Sequence, residues 1–128
     1  MQKQHFLVAG SVLGMLAVVF GAFGAHGLEK LVDAHMLQRF HTGVEYQFYH
    51  AFALLVVGLL YGQVAQVRHL QRAGYAFIAG IVLFSGSLYL YVLTGVTAIA
   101  MITPIGGTAF ILGWLWLALA CRHVGTAE

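Results

Sequence analysis

The chain has 128 residues, the length of one domain, and its net charge of +2 is too small to point to nucleic acid. Charged residues make up 8% and apolar residues 61%, where a soluble domain carries about 25% charge. Ten charged side chains cannot clothe a water-soluble surface of this size, so the chain reads as an integral membrane protein.

Four apolar runs reach the roughly 20 residues that a helix needs to cross about 30 Å of hydrocarbon. They cover about 6–25, 44–62, 73–94 and 98–121. None alternates with period two, and backbone groups in lipid must be satisfied within the segment, so helix is preferred over strand. The predicted fold is all-α, a transmembrane four-helix bundle with no room for a soluble domain.

The first run follows Lys3 and carries no charge. A signal-peptide core is about 7–15 residues long, and this run exceeds that, so it is read as a retained span. Gly10, Gly14, Ala17, Gly21 and Gly24 keep one helix face small along its length. Such a face suits close approach of another helix, within the chain or in a homo-oligomer.

The segment from His26 to Gly43 alternates Leu28, Leu31, Val32, Leu37 and Phe40 with Glu29, Lys30, Asp33, Gln38 and Arg39. This pattern predicts an amphipathic surface helix between the first and second spans, with a lid over a cavity as its sharper reading. In the second span, Tyr46 and His50 lie about 40° apart at about 100° per residue, with Gln47 on the same side. Glu45 points to another face and is expected to pair with His41 or Arg39.

The connection from Gln63 to Arg72 holds two arginines and no acid. With both termini inside, the inner segments carry Lys3, Arg68, Arg72 and Arg122, and the outer ones Lys30 and Arg39. That bias predicts cytoplasmic termini. The third run contains Ser85-Gly86-Ser87 near its middle and Tyr89 and Tyr91 toward its outer end. In the fourth, Thr103-Pro104 followed by Gly106-Gly107 predicts an irregular outer end, a candidate wall for a polar pocket. Trp114 and Trp116 fall toward the inner face, where belt aromatics are expected. Cys121 has no partner, which excludes an intrachain disulfide and a cysteine-based zinc site, and is read as a buried, inert thiol.

In this topology His26, Tyr46, Gln47, His50, Tyr89 and Thr103 gather in the outer half of the bundle as the candidate polar cluster. Ionisable groups inside a span are costly and mark functional candidates. His26 and His50 together supply two metal ligands where a catalytic zinc needs about three. No H-E-x-x-H, cysteine pair, paired carboxylates or phosphate-binding loop is present, so no catalytic residue is assigned and no cofactor is expected.

Gly21-Ala22-Phe23-Gly24-Ala25-His26-Gly27-Leu28, Tyr46-Gln47-Phe48-Tyr49-His50-Ala51-Phe52-Ala53-Leu54-Leu55, Ser85-Gly86-Ser87-Leu88-Tyr89 and Thr103-Pro104-Ile105-Gly106-Gly107 occur in this order. Together they resemble the signature of a family of small bacterial inner-membrane proteins, domain of unknown function 423, also called uncharacterised protein family 0382. A eukaryotic relative, transmembrane protein 256, is similar over the same motifs. The resemblance implies four helices and an inner-membrane location, and it implies no activity.

Three functions compete. The first is a partner-binding or self-assembling membrane protein, motivated by the small-residue stripe. The second is a small-molecule or metal-binding protein using His26 and His50. The third is a subunit of an oligomeric transporter or channel. The lipid bilayer is the common partner in all three.

Overall fold

The computed structural model describes residues 2–124. Four helices are long and apolar enough to cross a membrane. α1 spans Lys3–His26, and a 3-10 turn at Leu28–Lys30 leads to α2, Ala34–Leu60. α3, Val67–Thr94, contains a π-helical turn at Ile81–Ser85. A short α4, Thr97–Ala100, precedes α5, Thr103–Cys121. Among the described residues the only extended pairing is an isolated bridge between Val64 and Val124, which ties the α2–α3 connection to the end of α5.

The helices start where local chemistry permits. Asp33 caps α2, its Oδ1 accepting the Met36 N–H at 2.9 Å, which satisfies one of the helix's orphan donors. Pro104 sits in the first turn of α5, where its missing N–H costs nothing. Gly95 ends α3 at φ +72, a left-handed conformation that favours glycine.

Several expectations are corrected here. The segment between the first two spans does not form a separate surface helix. From Ala34 onward it is the first part of α2, and its buried side chains Phe40 and Val44 pack into the bundle. A lid would therefore have to move with α2. Likewise α3 begins at Val67, so Arg68 and Arg72 lie on its first turns and not in a loop. Glu45 accepts the Tyr49 hydroxyl at 3.4 Å. Arg39 turns instead to the Tyr91 ring, 5.7 Å from its centroid, and to His35. Cys121 is exposed, because it lies on the outward side of the last turn of α5.

Within the most apolar stretch of each helix, 50% of residues are buried in α2 and 39% in α3, against 17% in α1 and in α5. The bundle is thus a central α2–α3 pair flanked by two helices that turn most of their surface outward. The small-residue stripe of α1 faces α2 within the chain. A Cβ on Gly10 would come within 2.8 Å of the Ala51 carbonyl oxygen, and one on Gly24 within 3.1 Å of the Phe40 ring. Gly14 and Gly21 have looser contacts, to Ala51 and Val44. Ala17 is fully buried in the same seam. Toward the end of the bundle that holds the start of α1, Phe6, Leu54, Val57, Leu70 and Phe77 form a continuous core. On the other flank, α5 rides so close to the π-helical turn that a Cβ on Gly106 would strike the Phe84 backbone.

An exposed aromatic groove and the polar ties behind it

The outer half of α2 carries polar groups on two sides, and each side finds its own neighbours. One side meets α1 and α3. Gln47 is 2% exposed; its Nε2 donates to the Leu13 carbonyl of α1 at 2.8 Å, and its Oε1 accepts the Tyr89 hydroxyl at 2.7 Å. Ser85, fully buried in the π-helical turn, donates to the Gly43 carbonyl of α2 at 2.6 Å. Ser87 and the Thr103 hydroxyl lie 2.6 Å apart, linking α3 to the start of α5. Backbone carbonyls keep a second lone pair after helix formation, so these ties cost the helices no hydrogen bond.

The other side of α2 meets α5. His50 is 4% exposed. Its Nδ1 lies 2.7 Å from the Tyr46 carbonyl, one turn back, and its Nε2 accepts the Trp114 indole N–H at 3.0 Å. A carbonyl only accepts and an indole only donates, so these two bonds assign the tautomer: Nδ1 carries the hydrogen and Nε2 is bare. The imidazole stacks on Phe110 with ring centroids 3.6 Å apart and planes 6° apart. Tyr46 lies beside it over Phe84, centroids 4.7 Å apart.

Above these rings lies an open groove of about 680 Å³ between α2 and the outer half of α5. Tyr46, Tyr49, Phe84, Phe110 and Trp114 supply its aromatic walls, His50 its floor, and Pro104, Gly107 and Thr108 its end. The first turns of α5 wall a cavity, but they are regular helix from Thr103, not irregular as expected, and the cavity is aromatic more than polar. Its lip is exposed, with Tyr46 at 38% and Trp114 at 48%.

The six residues read as one cluster therefore divide. Tyr46 and His50 belong to the groove, Gln47 and Tyr89 to the α1–α3 side, and Thr103 to the α3–α5 tie. His26 ends α1 and is exposed. His26 and His50 are not brought together, and both nitrogens of His50 are already engaged. Among the described residues no group of three or more His, Cys, Asp or Glu side chains is placed to hold a metal.

Two groove residues escaped the reading of the sequence. Phe110 looked like one apolar residue among many. Trp114 reads in sequence as a belt or packing aromatic, and it lies about 16 Å along α5 from Thr103 at 1.5 Å per residue, in the interior of a helix of membrane-spanning length. At that depth an indole N–H needs a partner, and this was the available signal. Trp116 does sit among basic groups: it stacks on His69 and lies under Arg72, 4.7 Å from the guanidinium carbon.

The family described as "Protein of unknown function (DUF423)" matches residues 20–107. The UPF0382 membrane protein YwdK of Bacillus subtilis is 45% identical over 90% of this chain and 94% of its own length. The UPF0382 membrane protein SAB0533 of Staphylococcus aureus is 44% identical over 90% of this chain and 93% of its own. A UPF0382 membrane protein of Staphylococcus epidermidis is likewise 44% identical over 90% and 93%. No solved structure matches. With this match across most of its length, the chain belongs to the DUF423 family of membrane proteins.

Proposed function

We propose that this protein resides in the inner (cytoplasmic) membrane with both termini in the cytoplasm, and that it binds a lipid-soluble small molecule with a planar ring in the α2–α5 groove. The observation that carries the binding reading is the aromatic groove with a buried histidine on its floor. Its volume of about 680 Å³ lies within the roughly 300–1,000 Å³ of small-molecule sites. Lipid tails are as apolar as any groove wall, so burial alone gives a ligand no advantage over lipid. Ring stacking and a placed polar group do, and this groove offers both. An unbranched acyl chain would gain from neither.

Self-assembly through the small-residue stripe is weakened, because α2 already covers that stripe. A transporter or channel would need an oligomer, since the core of the single chain around Phe6, Leu54 and Phe77 is filled. For orientation, Lys3, Arg68, Arg72 and Arg122 flank one end of the bundle with no acid among the described residues there. Lys30 and Arg39 share the other end with Glu29, Asp33 and Glu45. That asymmetry supports cytoplasmic termini.

Gly107 offers the test. A Cβ there would meet only the Phe84 ring, at 3.8 Å, so Gly107→Leu fills the groove without striking backbone. Protein extracted with its surrounding lipid and analysed by mass spectrometry should carry an aromatic, lipid-soluble compound in the wild type, depleted about tenfold in the variant. Identical extracts from the two proteins would contradict the reading.

A further inference from the structure

We infer that the occupant of the groove carries a hydroxyl on its ring, as a phenol or a quinol does, and that this hydroxyl inserts between the Trp114 indole N–H and His50 Nε2. The inference rests on the binding reading above and adds the polar chemistry that selects the ligand.

The groove has few polar groups to offer. The Thr108 hydroxyl donates to the Pro104 carbonyl at 3.0 Å, and the Tyr49 hydroxyl donates to Glu45. The Tyr46 carbonyl takes the Nδ1–H of His50. What remains is the Tyr46 hydroxyl, on a residue of the exposed lip, and at the floor one donor–acceptor pair, Trp114 Nε1–H and His50 Nε2, closed on itself at 3.0 Å. His50 is fixed from behind by Phe110 and Tyr46, whereas Trp114 stands on the lip, 48% exposed, its ring meeting Phe77 edge-on at 5.1 Å. The indole is thus the member of the pair that can swing outward.

A ring reaching the floor must part that pair, and each head group then has a definite account. A ketone, an ether or a quinone carbonyl only accepts: it satisfies Trp114 and leaves Nε2 of the buried His50 bare. A group that only donates satisfies Nε2 and leaves the indole unpaired. A hydroxyl accepts from Trp114 and donates to His50 at once, and leaves neither group unsatisfied. The ring that bears it finds the aromatic side chains of Tyr46, Phe84 and Phe110 lining the groove beside it, which an aliphatic alcohol cannot use. No covalent or redox step is involved; the selection is by hydrogen bonding alone.

The chain has two tryptophans, so Trp116→Phe leaves Trp114 as the sole indole reporter. That variant in lipid nanodiscs would be titrated with 4-nonylphenol and with its methyl ether, 4-nonylanisole. Concentrations are expressed as mole fraction in the lipid, and helical content is checked by circular dichroism. Trp114 fluorescence should respond saturably to the phenol at about tenfold lower mole fraction than to the ether. His50→Phe, which keeps an aromatic ring against Phe110, should bring the two titrations within about twofold of each other. Equal responses to phenol and ether in the parent protein would overturn the hydroxyl inference and leave the groove reading intact. No saturable response to either compound would overturn both.

Discussion

Gln47 and His50 sit three residues apart in α2 and solve the same problem in opposite directions. Each is a polar side chain within a span, and each is satisfied by a neighbouring helix. Tyr89→Phe and Gln47→Leu should each destabilise the bundle. A double-mutant cycle in detergent should give a coupling of about 0.6 kcal/mol and no more than about 1.7, the range for hydrogen bonds between membrane helices. Zero coupling would remove the Tyr89–Gln47 bond from the account. These two side chains were legible as polar intruders in an apolar run. Two of their partners were not, because the Leu13 carbonyl and the Trp114 indole are reached only across the bundle. Ser85 shows the same limit: a serine tied to the Gly43 carbonyl looks, in sequence, like any small residue.

At the scale of the element, α2 is the clearest gap between hydropathy and structure. Arg39, Glu45 and the histidines interrupt the apolar run, so a membrane-length window starts at Val44, while the helix begins at Ala34. The sequence did carry the start signal, since Asp33 is a strong capping residue. Asp33→Ala should cost about 1 kcal/mol and Asp33→Ser should recover most of it. Hydrogen exchange over 34–40 would report the fraying; unchanged protection in Asp33→Ala would remove the cap from the account. The π-helical turn of α3 had no residue signature at all. It lies where Ser85 reaches α2 and where the Phe84 backbone presses on Gly106. Gly106→Ala should therefore lower thermal stability sharply, with Gly86→Ala nearly neutral because a Cβ there meets nothing within 4 Å. Equal melting of the two variants would show that the close approach of α5 is not tight.

For the whole molecule, composition alone gave the membrane, and four apolar runs gave the four helices. Their order of packing was hidden, since the two flanking helices, α1 and α5, are apolar on all sides. The flanking position of α1 and α5 follows from which glycines lie under which aromatic rings, as Gly113 lies under Phe77 and Gly24 beside Phe40. Orientation is tested by accessibility in a Cys121→Ser background. Lys30→Cys should react with a membrane-impermeant maleimide in intact cells, and Arg68→Cys only after permeabilisation; the reverse pattern would invert the topology. The groove stands on the assembled molecule, because α2 and α5 meet only when α3 holds them together. Its binding of a ring-bearing, lipid-soluble ligand is the central claim, and the two indole N–H resonances test it most directly. In 15N-labelled protein titrated with such a compound, the Trp114 signal should shift while the Trp116 signal, among His69 and Arg72, stays in place. A shift at Trp116 alone, or at neither, would contradict the claim.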